Sequence, residues 1–541
     1  MRGGEARLSG FDRSPEAGRS RPFIGAALAV LAITALALAL LPRPLTPDVA
    51  GQLWIADQLR DGVRLYRDIS EPNPPLWFWL AMPAAFLAEW LGMRADGVLI
   101  LAFGGAALLS VWTVSRLLAI RQCRPSLAVL AYAALILLVM PSRDFGQREQ
   151  LALIWTLPYI VLIALRREAQ SVPLWLAVLV GVQGATGFAL KHYFVAVPVL
   201  LECWLAYGVR RQWRPVRPET LALAVGALAY AAGIALLTPE FLTVSLPETT
   251  LAYGAATVPE WRYMLRPAQP IWVLIIIAIV LRRRADREPL PATVVALLVA
   301  AGGYGAAWLL QHKGWPYHGI PITGLLALAL ALLLARHRRS MGPLQLFGVA
   351  MPVLLFALPT QWQPDAQTDI APAFAGLRPG EPVAVLAREG WTSWPKLADG
   401  QFRMVGRGGA LWILQAVDGN ADEARDPRIA ALGRDLVRQT AAAFRCDPPR
   451  RIVFYPGAAA HTVTAAADNP LGYFGSEPAF AAVLSHYRRL PLPGRFDAFT
   501  LVRPLPPQPV ACRAAHQARR KAGAARSGSP NLKDRWATSL P

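Results

Sequence analysis

Apolar residues run through this chain in blocks long enough to cross a bilayer, divided by short turns dense in arginine. The first block, FIGAALAVLAITALALALL at 23–41, follows a basic stretch at 1–22. A cleavable signal has a shorter apolar run and a small-residue cleavage site. Here Pro42, Arg43 and Pro44 follow, so the block reads as a retained helix with its N-terminus in the cytoplasm. Further spans are expected at 97–115, 125–140, 150–165, 171–190, 193–208, 219–238, 269–281, 290–310, 318–335 and 343–359, about eleven in all.

The turns give the orientation. An internal N-terminus puts Arg116/Arg121/Arg124, Arg166/Arg167, Arg210/Arg211/Arg214/Arg217, Arg282/Arg283/Arg284/Arg287 and Arg336/Arg338/Arg339 on the cytoplasmic side, as the positive-inside rule requires. If 74–92 (PPLWFWLAMPAAFLAEWLG) also spanned, every later turn would change sides. It therefore reads as an interfacial or re-entrant helix on the outer face, where Trp77, Trp79 and Trp90 suit the headgroup level. The expectation is a mainly α polytopic bundle over 23–360, with an outer first loop at 42–96.

Beyond 360 the apolar runs shorten. Segments 382–388, 451–456 and 499–504 read as strands, and 427–445 and 478–489 as helices. A small extracytoplasmic α/β domain is expected at 361–510, then a basic, disordered tail at 511–541. Composition agrees: 54% of the 541 residues are hydrophobic and only 17% charged, against about 25% charged in soluble proteins. The net charge of +20 is largely topological, and nucleic acid is not an expected partner. Four cysteines do not make a disulfide scaffold, although Cys446 and Cys512 lie on the outer side and can pair there.

The outer turns collect groups that are expensive near lipid: Arg143, Asp144, Arg148, Glu149, Lys191, His192, Lys313 and His318. In the first loop, Thr46 and Pro47 open a helix that Gly62 can end. Val49, Leu53 and Ala56 give it an apolar stripe, and Asp48 stands in its first turn. That carboxylate either answers the helix dipole or serves as a general base.

The order of motifs resembles the membrane glycosyltransferases of the GT-C fold, family 39 type, which includes protein O-mannosyltransferases and the aminoarabinose transferase of lipid A. The matching features are the first-loop Asp48, then GVRLYRD and EPNPPLWFWL, then FGQREQLALIWTLPYI at 145–160, GFALKHYFVAVPVLLE at 187–202, and HKGWPYHGIPITGLLALALALLLA at 312–335. The resemblance covers about residues 20–360. It departs from the family where an Asp-Glu pair is usual, since Val49 follows Asp48, and in the lysine turn Leu190-Lys191-His192.

The resemblance implies an inner-membrane, multi-pass glycosyltransferase. It would move a sugar from a polyprenyl-phosphate donor to a lipid, glycan or protein acceptor at the outer face, with inversion. Asp48 would be the base. Lys191, Lys313, Arg143 and Arg148 would hold the donor phosphate. Glu149, Asp68, Tyr317 and His318 would orient acceptor or partners, and Trp77 and Trp315 would line the groove. No cofactor is expected. His192, His312 and His318 fit no established zinc spacing, and a divalent metal is the minor alternative. The rival readings are a flippase or transporter of lipid-linked sugar, and a non-catalytic scaffold of an envelope polysaccharide complex.

Overall fold

A computed structural model describes most of residues 45–335, 350–357 and 366–506; residues 1–44, 122–126, 257–267, 287–288, 336–349, 358–365, 388–392, 395–396, 398–400, 409–410, 420–425, 456–468 and 507–541, with the single positions 61, 352, 354 and 495, lie outside it. The expected first span, the last span for the most part, the basic tail and Cys512 therefore fall outside the described residues.

The helical part runs α1 Pro47–Arg60, α2 Leu76–Leu91, α3 Ala95–Ala119, α4 Leu127–Leu138, α5 Arg148–Arg167, α6 Leu174–Ala189, α7 Ala196–Val209, α8 Pro218–Leu237, α9 Leu246–Ala256, α10 Ala268–Asp286, α11 Ala292–Gln311 and α12 Ile320–Ala335. Among the described residues, six stretches are long and apolar enough to cross a membrane: Ala95–Ala119, Arg148–Arg167, His192–Gln212, Pro218–Leu237, Ala292–Gln311 and Pro316–Ala335. The chain is a multi-pass membrane protein. Helices α4 and α6 are apolar but shorter.

Helix α5 is the axis of the bundle, with nearly every residue from Arg148 to Leu165 buried. Such a helix is apolar along most of its length; its charged residues are confined to its two ends, and the mid-helix Thr156 bonds the Tyr304 hydroxyl at 2.8 Å. Helices α6 and α8 cross closely through small residues. A Cβ on Gly181 would lie 2.4 Å from the Glu219 carbonyl oxygen, and one on Gly226 would lie 2.6 Å from the Ala185 Cβ. In lipid, contact of this kind replaces the hydrophobic effect as the force between helices.

Helix α2 begins where the Trp77 indole donates to the Gly146 carbonyl at 2.8 Å. It ends where Glu89 pairs with Arg60, the last residue of α1. Gly92 closes it at φ 65°, a left-handed position that glycine takes without strain, and α3 follows.

The C-terminal part holds β1 Pro382–Ala387, β2 Arg403–Met404, α13 Leu414–Gly419, α14 Pro427–Cys446, β3 Arg451–Tyr455, α15 Pro470–Gly475, α16 Pro478–Leu484, β4 Tyr487–Leu490 and β5 Asp497–Leu501. The sheet order is β2-β1-β3-β5-β4. β1 is parallel to β2 and β3, while β5 is antiparallel to β3 and β4. Asp426 caps α14 by accepting from the Arg428 amide at 3.0 Å, with Pro427 at the first helical position.

Alternation along the strands feeds two cores. Ala384, Leu386, Ile452 and Phe454 pack with Leu436 and Phe444 of α14. Val383, Val385, Val453 and Tyr455 pack on the other face with Trp394 and Ile370. The helix expected over 478–489 stops at Leu484, because Tyr487–Leu490 pairs with β5 as an edge strand. The Tyr487 hydroxyl also bonds to the Pro449 carbonyl at 2.9 Å. The strand expected at 499–504 lies at Asp497–Leu501.

Gly181→Leu is expected to force α6 and α8 apart and to lower the melting temperature in detergent by several degrees or more, about 1–3 kcal/mol of overpacking. An unchanged melting temperature would mean that the crossing is not a determinant of stability.

Candidate active site

The polar turns at one end of the bundle converge. The segment 141–147 is shaped by Ser142 at φ 54° and Gly146 at φ 91°. Three contacts pin it. Trp77 bonds the Gly146 carbonyl; the Gly146 amide donates to Gln150 Oε1 at 2.5 Å; and Gln150 Nε2 donates to the Leu137 carbonyl at 2.7 Å. The turn delivers Arg148 and Glu149 into the first turn of α5.

Glu149, 1% exposed, accepts from Lys191 Nζ at 2.5 Å. The same ammonium reaches Gln311 Oε1 at 2.9 Å and His318 Nε2 at 3.3 Å. These partners match the three hydrogens of a lysine. Lys191 therefore organises the site, tying α5, α11 and the start of the last described span to the α6–α7 turn. Burial lowers its pKa, and the Glu149 carboxylate opposes that change.

Arg148 is different. It is 5% exposed, and its Nε and Nη1 have no hydrogen-bond partner. Its charge acts on Glu71, Lys191 and Lys313. Lys313 stands over the rings of Tyr253 at 3.8 Å and Trp315 at 4.6 Å. Burial, reinforced by the charges of Lys191 and Arg148, pushes its pKa down to about 7.

Asp48 is exposed, in the first turn of α1. Gln147 Nε2 approaches its Oδ2 at 3.5 Å and the Thr46 hydroxyl at 3.4 Å. Its charge is felt at Glu71, Asp144, Lys191 and Lys313. The carboxylate thus stands at the cleft whose floor holds Arg148 and Lys191. Tyr317 is buried against Trp315 and His318, with ring centroids 5.6 and 4.7 Å away.

Not every sequence candidate joins this group. Asp68 is exposed and accepts from the Arg64 amide at 2.8 Å, closing a local turn that faces Arg407 of the C-terminal part. Arg143 lies in the turn before α5, where its charge opposes the rise in the Asp144 pKa. Trp77 is fully buried and serves the Gly146 turn. His192 stacks on Tyr193, with centroids 3.8 Å apart, and His312 takes a left-handed cap at φ 49°. Among the described residues no three His, Cys, Asp or Glu side chains group as metal ligands.

The structure adds Glu71, Gln147, Gln311 and Tyr253 to the candidates. Burial raises the pKa of Glu71 and of Asp144 to about 7. Glu71 bonds both the amide and the side chain of Asn73. Its place inside EPNPPLW was the available signal. Tyr253 had none, because it approaches from α9, 60 residues before Lys313.

No family model matches the chain, and no curated protein does. Among solved structures, ArnT from Cupriavidus metallidurans bound to undecaprenyl phosphate aligns with 91% of this chain and 100% of its own, at 16% identity and a TM-score of 0.42. The apo form of the same protein aligns with 90% of this chain and 100% of its own, at 16% identity and a TM-score of 0.44. At these values the functional reading rests on the side chains.

A double-mutant cycle tests the central pair. Glu149→Leu alone leaves the Lys191 ammonium buried without its carboxylate and is expected to cost about 3–5 kcal/mol. Lys191→Met in the same chain should recover much of that loss in thermal unfolding. Additive losses would show that the two side chains do not interact.

Proposed function

We propose that the chain is an integral-membrane glycosyltransferase that takes a sugar from a polyprenyl-phosphate donor and passes it to an envelope acceptor at the outer face. The observation that carries this reading is Arg148. A guanidinium with buried, unpartnered N–H groups is costly, on the order of several kcal/mol. An anion in the cleft removes that cost, and a phosphate suits arginine's planar fork of donors.

In this reading the donor phosphate sits on Arg148, with Lys313 as a second cation. Lys191 stays bound to Glu149 and holds the floor rigid. Asp48 takes the proton from an acceptor hydroxyl as its oxygen bonds to the anomeric carbon. The bond from that carbon to the phosphate oxygen breaks, and the electron pair leaves on the polyprenyl phosphate. Arg148 and Lys313 offset the charge that gathers there, the role in which fixed cations contribute most. The resemblance to the GT-C enzymes implies inversion.

The described arginine-rich turns, which gather at the opposite end of the bundle, support a site outside the cytoplasm. Cys446 supports the same side: it is disulfide-bonded, to a partner outside the described residues, and such bonds persist in oxidising compartments.

Two variants, assayed in lipid with radiolabelled polyprenyl-phosphate sugars, test the reading. Arg148→Met should lower transfer by about 100-fold or more while leaving the fold as stable as wild type or more so, since an unpaired buried charge is removed. Asp48→Asn should abolish transfer without loss of folded protein. Full activity in either variant would remove that residue from the mechanism.

The pH dependence has a definite sign. As pH falls through about 7, Lys313 gains its charge while Glu71 and Asp144 lose theirs. All three changes make the cleft more positive. Donor KM is therefore expected to rise above pH 7, and less steeply in Lys313→Arg, whose charge persists. A donor KM that falls with rising pH would contradict the charge assignment.

A further inference from the structure

A cavity of about 240 Å³ lies between α3, α4, α5, α11 and α12, open on one side. Protein interiors leave few voids larger than a water molecule, so a space of this size calls for an occupant. It is large enough for one, since an apolar cavity of roughly 150 Å³ already admits a benzene.

The walls define its place. They come from the later turns of α3, α5 and α12 and the first turns of α4 and α11. Along the helices it runs from Leu328 to Ala335 and from Pro291 to Leu297, a depth of roughly 10 Å at 1.5 Å per residue. This is the end of the bundle that carries the Arg166–Glu219 and Arg217–Glu219 pairs, away from Asp48. Four of the five helices, α3, α5, α11 and α12, lie in stretches long and apolar enough to span a membrane.

The chemistry of the lining narrows the occupant. Its only polar residues are Arg121 and Thr293; the remainder are Leu, Val, Ala and one Pro. Those two are bonded to each other, Arg121 Nη1 donating to Thr293 Oγ1 at 2.8 Å, while Arg121 Nη2 pairs with Glu168 at 2.7 Å. An ordered water needs two to four polar partners, and this lining offers no such set. An anion gains little either, because Glu168 already offsets the Arg121 charge. Hydrocarbon fits, and between membrane-spanning helices the hydrocarbon present is a lipid acyl chain. Held among five helices, such a chain differs from one sliding over α8, whose Leu228 and Leu236 are 71% and 79% exposed.

We infer that this crevice binds one acyl chain of a membrane phospholipid, lodged with its polar end at the Arg121–Thr293 corner. The chain joins α3 and α4 to α11 and α12 and takes no part in the chemistry at Asp48.

The test uses the full chain in phosphatidylcholine nanodiscs containing a small fraction of phosphatidylcholine with a diazirine on one acyl chain. Cross-links are mapped by mass spectrometry, and Leu228 and Leu236 of α8 give the level of ordinary bilayer contact. Labelling of Leu130, Leu297 and Leu332 is expected to exceed that level several-fold. Ala133→Phe and Ala335→Phe fill the crevice from different helices, and each should bring its labelling down to the α8 level or below while α8 labelling stays as in wild type. Melting temperatures check that each variant is folded. Equal labelling of crevice and α8, or crevice labelling indifferent to both substitutions, overturns the site and leaves only bulk lipid contact. An unlabelled crevice beside a labelled α8 also overturns it, and gives the space to another part of the chain or to a second copy.

Discussion

Helix α1 is shared between two cores, and the geometry of the cleft depends on that sharing. Val49, Leu53, Ile55 and Ala56 are buried in the core of the helical bundle, while Ala50 and Trp54 pack against the sheet domain beside Trp394. A Cβ on Gly51 would meet the Trp394 indole at 3.0 Å, and one on Gly146 would meet Val49 at 3.0 Å. A helix clamped from both sides has little freedom to slide. Its first turn carries Asp48, so the carboxylate is set at the cleft by packing, with a single long contact from Gln147. An exposed side chain thereby acquires a defined position without being buried.

The bundle separates its charges into two ends. At the end away from Asp48, Arg166 grips Glu219 through two bonds of 2.9 Å, Arg217 bridges Glu219 and Glu202, and Arg121 bonds Thr293 and pairs with Glu168. Glu202 also accepts from Tyr159 at 3.1 Å and Trp213 at 3.2 Å. These groups are closed on one another, as structural ions near lipid must be. Among the described residues at the cleft end, Arg148 has two N–H groups without a partner and Lys313 rests on aromatic rings.

Much of this architecture was legible from spacing. The apolar blocks at 97–115, 150–165 and 290–310 became α3, α5 and α11, and the arginine turns marked one end. The segment 74–92 forms one apolar helix, α2, of the same short class as α4 and α6. The chemistry was legible as a set of residue types on one face, but not as roles. Lys191 and Lys313 look alike in sequence. Only three-dimensional contact shows one saturated by Glu149, Gln311 and His318 and the other resting on two rings. Asp68 and Glu71 lie three residues apart, yet one closes an exposed turn and the other is half-buried within reach of Arg148's charge. The partners that saturate Lys191 lie 42 to 127 residues away, which no local pattern encodes.

The Lys191–Glu149 bond also sets an order of assembly. Glu149 opens α5 and Lys191 lies in the turn after α6, so the two meet at the open end of the hairpin that these helices make. Gln311 and His318 stand more than a hundred residues further along the chain, so their bonds to Lys191 can form only once α11 and the last described span exist. During synthesis the ammonium can therefore take the first of its three partners well before the other two. The cleft is completed in two stages, and the hairpin supplies the first.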